Sequence, residues 1–242
     1  MDYAITTAGT TSVNALLSAV GADAAELKAV WLSYPTATFV TAAHFGDDLE
    51  VAEGTATLRT YTAENCMCDA LYTVVGELRM ATECTCTFGH EGGYQLSTIL
   101  GDTCNKKGKP SDIALIRDLA PVMQKQAICA EGQAIGRVAL QALDLFADEI
   151  EPHFTKKQCP TSGCAAFQTY HVLVSKCTGC GKCLKACDDK AIMGKPKFVH
   201  VINQRACTQC GECLEACPEG AIVRAGAKKP KTPPKPIPVK RK

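Results

Sequence analysis

Two runs of four cysteines stand near the C-terminal end of this chain of 242 residues and hold eight of its sixteen cysteines. Both runs have the spacing C-x2-C-x2-C-x3-C, and their members are Cys177, Cys180, Cys183 and Cys187, then Cys207, Cys210, Cys213 and Cys217. Three thiolates at such intervals wrap a loop around one face of an iron–sulfur cubane. Tetrahedral zinc does not fit a triple run with a trailing cysteine, and a disulfide framework needs an oxidising compartment. The sequence therefore predicts two [4Fe–4S] clusters.

Each run resembles the ligand run of bacterial two-cluster ferredoxins, in which the fourth cysteine ligates the other cluster. The resemblance implies one cluster on Cys177, Cys180, Cys183 and Cys217, and another on Cys207, Cys210, Cys213 and Cys187. Pro218 follows the second run as in that family, whereas Asp188 follows the first. The repeat extends beyond the cysteines (CTGCGKCLKACDDKAI against CTQCGECLEACPEGAI), so we expect a cluster in both halves.

The rest of the chain must position these and other thiols. Hydrophobic periodicity predicts a helix that Gly21 ends, a strand at LKAVWL and short strands in 36–60. A helix over 66–81 and a glycine-containing loop over 83–93 are expected next. Two further helices are predicted: Asp112–Gln126, which Ser111 caps and Pro121 kinks or divides, and Gln133–Ile150, which ends at Pro152. The Lys- and Pro-rich end of the chain is expected to be disordered or extended.

A second resemblance covers roughly residues 10–224. The segment 129–154 (CAEGQAIGRVALQALDLFADEIEPHF) resembles the cluster-binding helical domain in the NADH-oxidising flavoprotein subunit of complex I and, more closely, of electron-bifurcating hydrogenases. The LKAV strand and the Asn65-Cys66-Met67 stretch resemble further family segments. The family's GGPSGG segment is replaced by residues 33–38, and no G-x-G-x-x-G loop is present. The chain is thus similar to the C-terminal part of such a subunit without its FMN/NADH domain, so we expect it to bind neither FMN nor NADH by itself.

This resemblance predicts an α+β chain: an eroded ubiquitin-like α/β N-terminal segment, a small helical bundle and a C-terminal bacterial-type 2[4Fe–4S] ferredoxin fold. The expected boundaries are 1–62 for a degenerate ubiquitin-like (SLBB-like) segment, 63–155 for the helical cluster-binding-like domain, 156–171 for a zinc hinge or linker, 172–226 for the ferredoxin domain and 227–242 for the tail.

A third cluster is a separate candidate. The family's helical domain holds a cluster through three cysteines of one loop and a distant cysteine, and here the distant ligand corresponds to Cys129. In the loop, Cys86 keeps the middle position, whereas Cys84 lies one residue out of register. One hypothesis is a rearranged cluster on Cys84, Cys86, Cys104 and Cys129, with Cys68 as another spare thiol; the other is a lost site whose thiols are buried fillers.

A zinc site is the last candidate. His153, Cys159 and Cys164 form an H-x5-C-x4-C pattern of mixed N and S donors that lacks one ligand of a tetrahedral site. The resemblance to the hydrogenase subunit implies Cys66 as the fourth ligand. The alternative is a helix-terminal histidine beside two incidental thiols.

Composition restricts the function further. The net charge of +1 gives no reason to expect nucleic-acid binding. The sequence contains no run of about 18 apolar residues, so we expect no membrane-spanning helix. Abundant thiols without a signal peptide predict the cytoplasm. The hypothesis is an electron-transfer subunit without a catalytic site of its own, working between a flavin- and NAD(P)H-binding subunit and other redox subunits or ferredoxin. The alternative is a structural or assembly subunit whose clusters lie outside the turnover path.

Overall fold

The computed structural model describes residues 1–82, 85–226 and 228–239, with helices and sheets in both parts of the chain. The chain divides into two compact units, Met1–Ala166 and Phe167–Lys242. Within the described residues, no helix combines the length and apolarity that crossing a bilayer requires.

A four-stranded antiparallel sheet with one helix forms the start of the first unit. Its elements are β1 (Asp2–Thr11), α1 (Val13–Ala19), β2 (Leu27–Leu32), β3 (Thr38–Thr41) and β4 (Leu49–Thr62), with a 3₁₀ turn at Ala42–His44. The strand order is β1-β4-β2-β3. Ser12 caps α1 by accepting a hydrogen bond from the backbone N–H of Ala15, and Leu17 packs with Leu32 and Leu58 in the core. The ubiquitin-like character of this segment stays a prediction.

Five helices complete the first unit: α2 (Met67–Ala81), α3 (Thr87–Cys104), α4 (Pro110–Gln126), α5 (Ala130–Leu145) and α6 (Ala147–Thr155). Glycine-rich residues that the sequence analysis expects in a loop are helical, because α3 begins at Thr87. Glycine normally weakens a helix. Here a side chain at Gly89 would lie 2.6 Å from the Sγ of Cys129, and one at Gly92 would lie 2.9 Å from the Sδ of Met123. These glycines are explained by close packing rather than by a turn.

The ends and continuity of two predicted helices also differ from the sequence-based expectation. Ser111 does not cap α4, because Lys109 is the capping residue and Pro110 occupies the first turn, where its missing N–H costs nothing. Pro121 lies inside α4 without dividing it. The expected helix Gln133–Ile150 is two helices that meet at Phe146, and Pro152 lies within α6 rather than beyond it.

The second unit is built from two similar halves, after a 3₁₀ turn at Ala165–Phe167. Its elements are β5 (Thr169–Val172), α7 (Lys182–Lys185), β6 (Ile192–Met193), β7 (Phe198–Val199), β8 (Val201–Ile202), α8 (Glu212–Glu215), β9 (Ile222–Ala225) and β10 (Ile237–Pro238). Strand β5 pairs with β9 and β6 with β8, all antiparallel, so each half supplies one strand to each pair. Six of the eight cysteines, all except Cys180 and Cys210, pack in a shared core with Val172, Val199 and Ile222.

Part of the Lys- and Pro-rich end of the chain is extended, which is one of the two forms expected from the sequence, and it pairs as a strand. β10 pairs with β7, and the N–H of Val239 donates to the carbonyl of Lys197 at 3.0 Å. Val239 also packs against the cysteine-containing core. Val239 gives this segment one apolar side chain that packs, whereas Ile237 is exposed.

Candidate iron–sulfur and metal centres

One cavity in the second unit is lined by four cysteines: Cys177, Cys180, Cys183 and Cys217. Three of them belong to the first run and one to the second. The structure therefore brings together the set that the ferredoxin resemblance assigns to one cluster. The rest of the wall includes Val172, Ala221 and Ile222, and such an apolar shell limits access of solvent to a cluster.

The other four cysteines form the corresponding group. Burial raises the pKa of the Cys213 thiol to about 11, and its electrostatic neighbours are Cys207, Cys210 and Cys187. Burial likewise raises the pKa of Cys183 to about 11. The charges of Cys177, Cys217 and Cys180 contribute to this rise. Thiols grouped in this way resist ionisation because their negative charges repel each other. Bound iron would reverse that preference, since a coordinating thiol is deprotonated outright.

Backbone geometry holds both groups in the same manner. Gly181 and Gly211 precede α7 and α8 with φ values of 77° and 90°, a region that favours glycine. The N–H of Ala191 donates to the Sγ of Cys187 at 3.3 Å, and the N–H of Ala221 donates to the Sγ of Cys217, also at 3.3 Å. Hydrogen bonds to cluster sulfurs are among the features that set reduction potential.

His200 is a residue of this site that the sequence analysis passes over. Its Nδ1 lies 3.9 Å from the Sγ of Cys177, and its ring is buried. Burial lowers its pKa, which favours the neutral ring. A side chain at Gly194 would collide with the imidazole, so this glycine makes room for it. Alignment of the two repeats could have found the position, because His200 stands where the first half has Tyr170.

The candidate third cluster is not assembled as expected. Cys86 and Cys129 lie at the N-termini of α3 and α5 and are joined through their Sγ atoms, and the N–H of Cys129 also donates to the Sγ of Cys86 at 3.3 Å. Cys84 lies outside the described residues. Cys104 is the last residue of α3, whereas Cys86 caps its start, so a helix of 18 residues separates them. That length is about 27 Å, far more than one cluster spans. Cys104 is therefore removed from this group.

The candidate zinc ligands do come together in the first unit. The Sγ atoms of Cys66, Cys159 and Cys164 and a ring nitrogen of His153 all lie within 4.8 Å of one another, and all four residues are buried. The Nε2 of His153 is 3.3 Å from the Sγ of Cys66 and 3.5 Å from that of Cys164. A tetrahedral zinc ion with ordinary Zn–N and Zn–S bonds separates such donors by about 3.6 Å. The donor set and its spacing fit zinc.

Neighbouring groups orient this donor set. The Nδ1 of His153 donates to the carbonyl of Glu149 at 2.8 Å, which turns Nε2 towards the thiols. The carboxylate of Glu149 accepts from Lys28 at 2.7 Å and so links α6 to β2. Gly163 lets the loop approach Cys66, since a side chain there would lie 2.8 Å from the Cys66 backbone nitrogen.

Neighbouring groups shift the pKa values of these thiols and of His153. Hydrogen bonds from Cys164 and Cys66 lower the pKa of Cys159, whereas hydrogen bonding to Cys159 and Cys164 raises the pKa of Cys66. Burial alone would lower the pKa of His153, but the thiols of Cys159 and Cys66 outweigh it and raise that pKa to about 10. The group thus attracts positive charge, and a divalent cation can supply it.

Comparison with known proteins agrees with this geometry. The model of the NADH-ubiquinone oxidoreductase-F iron-sulfur binding region matches residues 78–153, and that of the 4Fe-4S dicluster domain matches residues 176–232. The NADP-reducing hydrogenase subunit HndC of Solidesulfovibrio fructosivorans is 35% identical over 115 residues, which are 48% of this chain and 24% of that protein. An NADH-quinone oxidoreductase subunit of Streptomyces coelicolor is 33% identical over 75 residues, 31% of this chain and 17% of that protein. The chain is a 4Fe–4S protein.

These matches confirm the resemblance drawn from the sequence and the expectation of [4Fe–4S] clusters. The dicluster match contains both cysteine runs of this 4Fe–4S protein. The other match includes Cys86, Cys129 and His153, although the chain spans less than a quarter of the length of each relative. The individual ligand assignments stay predictions.

Proposed function

We propose that this protein relays single electrons as the iron–sulfur subunit of a cytoplasmic, multisubunit oxidoreductase. Its partners would be a flavin-bearing, NAD(P)H-binding subunit and a low-potential redox protein such as ferredoxin, in a complex that can bifurcate electrons. The observation that carries the proposal is the pair of cysteine groups in the second unit. In each group one thiol is exposed, Cys180 or Cys210, while another, Cys183 or Cys213, is buried.

This arrangement suits electron relay in two ways. A bound [4Fe–4S] cluster exchanges one electron at a time without needing an acid, base or nucleophile from the protein. The exposed ligand brings each cluster close to the surface, where a partner can approach, and the buried ligand and apolar wall keep the other side dry. The names of the relatives, an NADP-reducing hydrogenase subunit and an NADH-quinone oxidoreductase subunit, support a nicotinamide-linked complex.

We further propose that Cys66, His153, Cys159 and Cys164 bind a structural zinc ion. The four donors close a tetrahedral set without an open position, which is typical of structural rather than catalytic zinc. Such an ion would tie the start of α2 to α6 and to the loop that follows it.

The test is rapid freeze-quench EPR on the native complex, purified through this chain and mixed with NADH or NADPH. We expect reduced-cluster signals to appear within one turnover and to be lost in a variant that lacks the first cysteine group. Clusters that accept electrons from dithionite but stay oxidised throughout turnover would overturn the relay. That result would instead favour the alternative, a structural subunit.

A further inference from the structure

A second group of metal-binding side chains lies against the candidate zinc ligands. The Sγ atoms of Cys104 and Cys164 and a carboxylate oxygen of Asp69 lie within 4.8 Å of one another. Cys164 belongs to this group and to the zinc group at the same time. One thiol thus faces two sets of donors.

The fold explains why these residues meet. Asp69 lies in the first turn of α2, and Cys104 is the last residue of α3, which packs against α2. Cys68 precedes Asp69 on α2, and its Sγ lies 3.8 Å from that of Cys104. The start of α2 and the end of α3 therefore deliver two donors, Asp69 and Cys104, to the side of Cys164.

The spacing suits metal ligands. Two thiolates on one tetrahedral zinc ion lie about 3.8 Å apart, given Zn–S bonds of about 2.3 Å. The donor atoms of Asp69, Cys104 and Cys164 lie within 4.8 Å of one another, which is close to that separation. Cys104 and Cys164 are buried, at 7% and 3% exposure, whereas Asp69 lies at the surface and offers a path by which an ion could enter.

A plain packing role accounts less well for the cluster. Free cysteine often fills a core as a small apolar residue. Here, however, the thiols of Cys104 and Cys164 adjoin a carboxylate and a further set of thiols and imidazole. A packing role requires no carboxylate beside the thiols, whereas zinc binds thiolate and carboxylate oxygen together.

We propose that Asp69, Cys104 and Cys164 bind a second zinc-class divalent cation; this rests on the proposed zinc site of Cys66, His153, Cys159 and Cys164. The thiolate of Cys164 bridges it to the first ion, so that the first unit holds a dinuclear zinc–thiolate centre. Binding converts the thiol of Cys104 to a thiolate and releases its proton to solvent. Thiolate and carboxylate donors together select zinc over magnesium or calcium.

The test counts zinc and iron on the full chain with its iron–sulfur clusters in place. We expect two zinc ions per chain in the wild type and one in Cys104→Ser, with iron unchanged. After exchange with ¹¹³Cd²⁺, the wild type should give two ¹¹³Cd NMR signals coupled through the shared sulfur, and Cys104→Ser should give one uncoupled signal.

A variant at an exposed residue tests the proposal without disturbing the buried core. Asp69→Asn should speed transfer of one zinc ion to a chromophoric chelator by about tenfold or more, because even outer ligands change affinity by this amount. Asp118→Asn, also exposed, is the matched control and should behave as wild type. One zinc ion in both wild type and Cys104→Ser, equal release from the two Asp variants, or iron that disappears with Cys104 would overturn the proposal.

Discussion

The Nε2 atom of His153 lies 3.3 Å from the Sγ of Cys66, although 87 positions separate the two residues in the chain. Cys66 stands at the start of α2 and His153 near the end of α6. Their contact joins the first and last helices of the helical part of the first unit. A metal ion bound by this donor set would therefore hold α2 and α6 together.

A substitution at Gly163 tests whether the close approach of its loop to Cys66 matters for metal binding. In Gly163→Ala the new methyl group would lie 2.8 Å from the Cys66 nitrogen and 2.9 Å from its Cβ, so the loop bearing Cys164 must move away. We expect zinc to be lost to a chelator more than about tenfold faster, since small changes around a metal site weaken binding by that factor. Gly46→Ala is the control, because its nearest neighbour lies at 3.8 Å. Equal release from both variants would show that the close approach is unimportant.

His200 should raise the reduction potential of one cluster and leave that of the other unchanged. A neutral imidazole that donates from Nδ1 to the Cys177 sulfur stabilises the more negative, reduced cluster. His200→Phe removes this donor, so the potential of the cluster on Cys177 should fall. Potentiometric EPR titration would measure it. Tyr170→Phe is the control from the equivalent position of the first half, and a shift of both clusters together in His200→Phe would contradict the assignment.

The cysteine groups of the second unit could be predicted from sequence because their spacing is local. Each run folds as one loop, and the resemblance to two-cluster ferredoxins implies the crossed partners. The centres of the first unit are different, since Cys66 and Cys104 reach their partners only through the packing of whole helices. Spacing alone groups His153 with Cys159 and Cys164, but it cannot reveal Cys66 without a resemblance.

The misplacement of Cys104 has a specific physical origin. Gly89, Gly92 and Gly93 indicate a loop by propensity, and a loop could have folded Cys104 back towards Cys86. The structure instead uses these glycines for contacts with Cys129, Met123 and Ile135 inside a continuous helix. The need for a glycine at these positions comes from residues distant in sequence, so the local sequence pattern does not reveal it.

Two helical glycines should respond in opposite directions to the same substitution. In Gly136→Ala, the added methyl group would lie 2.8 Å from the backbone nitrogen of Gln124, so α4 and α5 must separate. We expect destabilisation of about 1–3 kcal/mol, as for other overpacked cores. Gly76→Ala meets open space and should stabilise by about 0.5–1 kcal/mol through its better helix propensity. Thermal melts followed by far-UV circular dichroism would compare them, and the same sign for both would refute the packing argument.

The two clusters should differ in potential because their helices carry opposite charges. Lys182 and Lys185 flank Cys183 on α7, whereas Glu212 and Glu215 flank Cys213 on α8. Positive charge favours the reduced cluster, so Lys182→Glu with Lys185→Glu should lower the potential of the first cluster. The shift should shrink at high salt, because the Debye length falls to about 3 Å at 1 M. Lys156→Glu in α6's cap is the control, and an equal shift in that variant would point to a nonspecific effect.

Crossed ligation can be decided by pairs of substitutions that remove the same number of thiols. If Cys217 completes the cluster of the first run, Cys180→Ser with Cys217→Ser should damage one cluster and leave about four of eight irons. Cys210→Ser with Cys217→Ser should damage both clusters and leave almost none. Uncrossed ligation predicts the reverse, since Cys210 and Cys217 would then share a cluster. The reciprocal pair, Cys187→Ser with Cys210→Ser, should again leave about four irons. Iron analysis with Mössbauer spectra of ⁵⁷Fe-labelled protein would distinguish the two schemes, because Cys180 and Cys210 are both exposed and their replacement disturbs the two halves alike.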